Sequence, residues 1–388
     1  RKTTMSVYMW NTFCPTLFGT GASKETGAQA KMLGMNKVMV CTEKALCDFG
    51  VATQVVDALQ QAGLEVLVFD KCKADAPSDI CDEGAAFVRK HGIDGIVAVG
   101  GGSTLDTAKA IGIIISQNGT TIRDYYGIGE AEHAMKLITL STTSGTGSEI
   151  SQWAVIGDVE TGAKEMPVYK PDLAIVDPVL TYSLPAGPTA ATGMDVLAHC
   201  VEAITNRNYN PYGYIFGKEG ICLTMKWLPI AVKEPNNVEA REKMSLAANL
   251  GGMAISACGC QIGHSFSQTF GAHHHIPHGL GCAWGLPGVM VYTAQYGERS
   301  NLEEVADAMD VSYTAETDSM ELAEQLAKRV TDLMRELGIK SLKDSGFTLE
   351  DCLASTEQFF HDGAFGNSPG TPGEKEIQEY ITYTYHAY

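Results

Sequence analysis

"VAVGGGSTLDTAK" (97–109) carries an apolar run into three consecutive glycines and out into helix-forming residues. A strand that turns through glycine into a helix start is a place to hold phosphate. The first turn of a helix leaves N–H groups unpaired and carries partial positive charge. Glycine also lets a pyrophosphate come close to the backbone. Ser103 reads as the N-cap, and Asp106, three residues on, as its capping-box partner. The order Gly100-Gly101-Gly102-Ser103 is not the GxGxxG fingerprint, so that argument does not transfer directly.

The flanking sequence repeats the same grammar. "NKVMVCTE" (36–43) and "LEVLVFD" (64–70) read as buried strands, each followed by helical sequence. "DGIVAVGGGS" (94–103) is the third strand, and "STLDTAKAIGIIISQ" (103–117) its helix. "KLITLSTTSGTGSE" (136–149) and "LAIVDP" (173–178) add further strand-like runs. Such alternation predicts a mostly parallel, doubly wound α/β sheet. After "SLPAG" (183–187) it stops. Segments near 189–206, 213–231, 237–256, 318–337 and 374–383 read as helices. The expectation is an α/β dinucleotide-binding domain over 1–185 and an all-helical domain over 186–388. A chain of 388 residues is long enough for both.

Composition narrows the function. The net charge of −18 repels nucleic-acid backbones and anionic lipid, so neither is an expected partner. No apolar run has the length of a membrane span, and the start shows no signal-peptide pattern. Eleven cysteines without a CxxC pair read as reduced thiols, so the expected location is cytoplasmic.

Two more places in the α/β half suit a nucleotide. The loop "STTSGTGSE" (141–149) offers hydroxyls, Thr143 among them, after an apolar strand. Glu43 follows the first strand; a carboxylate there binds ribose hydroxyls and repels a 2′-phosphate.

The helical half carries the metal chemistry. In "GMDVLAHCVEA" (193–203), Asp195 and His199 are four apart and share one helix face. Glu202, a turn on, can support them from behind. "GHSFSQTFGAHHHIPHG" (263–279) holds five of the ten histidines. His264 and His278 are candidates to complete a carboxylate–imidazole site suited to Fe²⁺ or Zn²⁺. Pro277 and Gly279 flank His278 and can aim it. Of His273, His274 and His275, which point three ways on a helix, at most one can join the site.

Together, "GGGSTLDTAK", "TTSGTGSE", "GMDVLAHCVEA" and the histidine block resemble the iron-dependent (group III) alcohol dehydrogenases, from "CPTLFGTG" (14–21) to the C-terminal helices. The resemblance implies the dehydroquinate synthase-like architecture and reversible hydride transfer between NAD(H) and a small aldehyde or primary alcohol. It implies a divalent metal on Asp195, His199, His264 and His278, with Fe²⁺ foremost and Zn²⁺ or Mn²⁺ also suited. Gly101, Gly102, Ser103, Asp106, Thr142 and Thr146 would line the cofactor, and Lys164 would approach its ribose. Glu43 stands where many NAD-preferring members carry an acid. Homo-oligomers, dimers or larger, are the family norm.

One position departs. Most alcohol-oxidising members of the family have a further histidine four residues after the first of this block; here the position is Gln268. An amide cannot titrate, so it cannot relay a proton. The relay then falls to water, ribose hydroxyls or His274, or the pocket is rebuilt for a polar or charged substrate of the diol, lactaldehyde or sulfoacetaldehyde type. The alternatives are a metal-dependent lyase of the dehydroquinate synthase kind and a non-catalytic NAD-binding or filament subunit.

Overall fold

The structure, a computed structural model, describes residues 7–11 and 14–388. Its strands are β1 (Thr16–Phe18), β2 (Lys37–Cys41), β3 (Glu65–Phe69), β4 (Gly95–Gly100), β5 (Lys136–Ser141), β6 (Ile156–Gly157), β7 (Lys164–Glu165) and β8 (Leu173–Val176). Six form one parallel sheet in the order β1-β8-β5-β4-β2-β3, and β6 and β7 pair as a small antiparallel ribbon. The helices before residue 185 are α1 (Thr26–Met32), α2 (Lys44–Asp48), α3 (Val51–Gln61), α4 (Ser78–His91) and α5 (Gly102–Ser116). The helices after it are α6 (Ala186–Thr205), α7 (Pro211–Lys233), α8 (Val238–Cys258), α9 (Ile262–His274), α10 (His278–Tyr296), α11 (Arg299–Met309), α12 (Ser319–Glu336), α13 (Leu349–Leu353) and α14 (Glu374–His386).

The central strands β2, β4, β5 and β8 are buried on both faces, as in parallel sheets generally, while the edge strands leave Phe18 and Val68 exposed. Alternate residues feed two cores. Met39, Cys41, Ile96 and Ala98 face one, which α4 and α5 cover with Ile80, Ala85, Leu105 and Ile111. Val38, Val40, Val97 and Val99 face the other, with Ala30 of α1 and Val51, Val55 and Leu59 of α3.

The chain folds as two compact units. One holds residues 14–189 and takes back 230–252; the other holds 7–11, 190–229 and 253–388. In the first, the returning segment is tied in by polar contacts. Arg241 donates to Thr189 Oγ1 and the Leu184 carbonyl, both at 2.9 Å. Asn249 donates to Glu149 Oε1 at 3.1 Å, and Ser144 and Ser245 share a hydrogen bond. In the second, α10 is flanked by α9, α12 and α14. Among the described residues, no helix is long and apolar enough to cross a membrane.

Candidate active site

The order of the sheet points to the first site. The chain runs from β2 outward to β3, then crosses back to β4 on the other side of β2. Connections leave β2 and β4 in opposite directions, and open α/β sheets bind ligands beyond the strand ends at such a switch point. Glu43 follows β2 there, half-buried at the start of α2, where burial pushes its carboxyl up. The three glycines follow β4. Thr42 Oγ1 ties the two strand ends by donating to the Val99 carbonyl at 2.7 Å.

The helix start differs from the expected capping box. Gly101 is the N-cap of α5, with no side-chain cap, and Ser103 lies inside the helix. Its hydroxyl accepts from the Asp75 N–H at 3.1 Å instead. Asp106 turns away and accepts from Ser148 Oγ at 2.6 Å. Glycine thus takes the cap position in place of serine, and no side chain caps the mouth of α5 with a hydrogen bond. Thr142 donates its N–H to the Gly100 carbonyl at 3.0 Å. Thr143 Oγ1 is buried without a hydrogen-bond partner. Thr146 packs on Gly102 so closely that a Cβ there would meet its Cγ2 at 2.7 Å. A backbone cradle with an unpaired hydroxyl beside it fits a dinucleotide's phosphates.

Lys164, on β7, pairs with Asp75 Oδ1 at 2.6 Å. Since the Asp75 N–H bonds Ser103, the lysine stands one residue from the glycine turn. A group the sequence gave no cue for lies beneath: Lys109, wholly buried, donates to Ser148 Oγ and the Trp153 carbonyl, both at 2.7 Å. Burial pushes its ammonium down and the Asp106 carboxyl up, against their mutual attraction.

The second site is built in the helical unit. Asp195 and His199 share a face of α6; His264 lies in the first turn of α9, and His278 is the first residue of α10. Gly279 places it by close approach rather than by backbone freedom: a Cβ there would run into the Ala191 carbonyl of α6. Asp195 Oδ1 then faces His264 Nε2 at 3.4 Å, and His199 Nε2 and His278 Nε2 at 3.6 Å. Asp195 and His264 are buried, and neither Oδ1 nor Nε2 has a hydrogen-bond partner. Donors each about 2.1 Å from one cation in tetrahedral array stand roughly 3.4 Å apart, so the distances from Asp195 Oδ1 suit a divalent metal; Asp195, His264 and His278 fall in one close group of donors, and His199 and His264 in a second. Burial works against the Asp195 charge, but His199, His278 and His264 hold its carboxyl well below the usual range.

The groups behind fix the rings. Glu202 Oε1 lies 2.9 Å from His264 Nδ1, which puts the proton on Nδ1 and the lone pair on Nε2. Its other oxygen accepts from the Gln261 N–H. Ser267 Oγ sits 3.0 Å from His278 Nδ1. Gln268 lies one turn beyond His264, its Oε1 buried and unpaired. His274 is not brought to the cluster by any contact described; its ring packs against Phe270 and Phe347. His275 ends α9 in the left-handed conformation, and His273 is exposed. Two thiols are present that sequence reasoning did not place: Cys282 with Asp195, His264 and His278, and Cys260 with His199 and His264.

Both halves find matches among known proteins. The family model described as iron-containing alcohol dehydrogenase covers residues 15–178, and its C-terminal counterpart covers 189–385. The chain is 36% identical to the NAD-dependent methanol dehydrogenase of Bacillus methanolicus over 73% of its own length and 76% of the relative's. It is 32% identical to the 1,3-propanediol dehydrogenase of Klebsiella pneumoniae, covering 96% and 98%. Its fold matches the crystal structure of the NAD⁺ complex of sulfoacetaldehyde reductase from Bifidobacterium kashiwanohense with a TM-score of 0.84, at 30% identity and 98% and 100% coverage. A cradle for a dinucleotide, a donor set for a divalent metal and matches across both halves agree: the chain belongs to the iron-containing alcohol dehydrogenase family, oxidoreductases that bind NAD and a divalent metal.

Proposed function

We propose that the protein is an NAD(H)-linked, metal-dependent alcohol dehydrogenase that also runs as an aldehyde reductase. Its substrate would be a small aldehyde or primary alcohol with a polar or charged group, of the diol, lactaldehyde or sulfoacetaldehyde type. The observation that carries the reading is the buried Asp195 oxygen facing three imidazole nitrogens at 3.4–3.6 Å. A bound metal, Fe²⁺ foremost, would supply Lewis acidity worth several kcal/mol to a developing alkoxide. NAD(H) would supply or accept the hydride.

The chain's own residues do the rest. Asp195, His199, His264 and His278 hold the cation, with Glu202 and Ser267 setting ring orientation. The N–H groups at the start of α5, with Gly101, Gly102 and Ser103, receive the pyrophosphate; Asp106, Thr142, Thr143, Thr146 and Lys164 line the cofactor. Glu43 at the switch point favours NAD over NADP by charge. Gln268 cannot titrate, and its unpaired amide oxygen supports a substrate with a hydrogen-bond donor. The apolar packing of His274 favours water or ribose hydroxyls as the proton path. On the family resemblance the reading extends to a cytoplasmic homo-oligomer, a dimer or larger, which gel filtration would size.

The test is NADH oxidation by metal-stripped protein against a panel of small aldehydes, with Fe²⁺, Zn²⁺ or Mn²⁺ restored singly. One metal should restore turnover. Asp195→Ala should stay folded yet lose bound metal and activity together. An Asp195→Ala variant as active as the wild type, with no metal in either, overturns the metal site.

A further inference from the structure

Cys282 lies one turn after His278 on α10, so both project from one face. Its side chain is fully buried. Its Sγ sits 3.5 Å from His278 Nε2, the same nitrogen that faces Asp195 Oδ1 at 3.6 Å. The donor atoms of Asp195, His264, His278 and Cys282 all lie within 4.8 Å of one another. A sulfur and a nitrogen about 2.3 and 2.05 Å from one metal stand roughly 3.1 to 3.6 Å apart as the angle between them opens from a right angle to the tetrahedral value. Two further observations show that the cluster faces a ligand: Asp195 Oδ1 and His264 Nε2 are buried without hydrogen-bond partners.

We propose that Cys282 is a further donor, a thiol, to the metal that Asp195, His199, His264 and His278 would hold. The inference rests on the metal-dependent reading above and deepens it. Forming the metal–sulfur bond releases the thiol proton to water, and no electron changes hands. A soft sulfur among nitrogen and oxygen donors biases the site toward Zn²⁺ and Co²⁺ over Mn²⁺. Cys260, beside His199 and His264, is the competing thiol.

Cobalt separates the possibilities, because a Co²⁺–thiolate bond gives a near-ultraviolet charge-transfer band that imidazole and carboxylate do not. The full-length protein is stripped of metal and titrated with Co²⁺ under anaerobic conditions. The wild type should show the band at one Co²⁺ per chain. Cys282→Ser should lose the band while still binding Co²⁺, and Cys260→Ser should keep it. Zn²⁺ should displace Mn²⁺ more readily from the wild type than from Cys282→Ser. Bound Co²⁺ without the band in the wild type overturns the proposal, as does a band that survives in Cys282→Ser or vanishes in Cys260→Ser. A wild type that takes up no Co²⁺ overturns it together with the metal site itself.

Discussion

Glu202 spends both carboxylate oxygens inside the protein, one on His264 Nδ1 and one on the Gln261 N–H. Such a partner fixes which nitrogen of the imidazole carries the proton and raises the basicity of the other. Glu202→Gln should therefore lower metal affinity about 10–100-fold, read by competition with a chromogenic chelator, with the thermal unfolding temperature little changed. An unchanged affinity would make the carboxylate merely structural. At this scale the sequence was most legible on α6. Asp195, His199 and Glu202 sit at helical spacing, and about one helix turn separates each from the next. Cys282 repeats that spacing after His278 and went unread, because the segment holding it did not look like a helix.

The reason lies in α10 itself. Gly279, Gly281, Gly285, Pro287 and Gly288 fall within it, residues that disfavour a helix interior. The stretch from Gly281 to Thr293 is buried throughout, so no polar stripe marks a period. Packing against α9, α12 and α14 overrides the local preference. The N-terminus of α5 fails for the opposite reason. Ser103 and Asp106 match a capping box in sequence, but each finds a better partner elsewhere in the fold, Asp75 for one and Ser148 for the other. Five of the six strands of the parallel sheet were legible because their apolar runs are continuous; the edge strand β1, three residues long, was not. Where α10 meets α6, Gly279→Ala puts a methyl into the Ala191 carbonyl. Overpacking of this kind costs about 1–3 kcal/mol. The variant should melt earlier and, since His278 is the adjacent residue, bind metal more weakly. Calorimetry and metal analysis check both, and loss of stability without loss of metal would uncouple Gly279 from ligand placement.

On the whole molecule, −18 charges meet an anionic cofactor. Long-range repulsion slows the encounter and is screened by salt, with a Debye length of about 30 Å at 0.01 M and about 10 Å at 0.1 M. Raising salt across that range should lower KM for NADH by roughly twofold, measured with the aldehyde saturating. A KM that rises instead would show that the N–H groups of α5 and the local lysines dominate the approach.

The return of residues 230–252 to the α/β unit sets the order in which this protein can be completed during synthesis. The last sheet strand ends at Val176, yet Arg241, Ser245 and Asn249 are still to come. At roughly 5–20 residues per second, the ribosome needs several more seconds to deliver them. Meanwhile the nascent α/β unit stands with Thr189, Ser144 and Glu149 lacking the partners that α8 brings. Residues 7–11 wait as well, since Asn210 on the way to α7 donates to the Met9 carbonyl. A gene cut after Thr189 would freeze that waiting state, so such a fragment should be a chaperone client rather than a free-standing cofactor-binding domain.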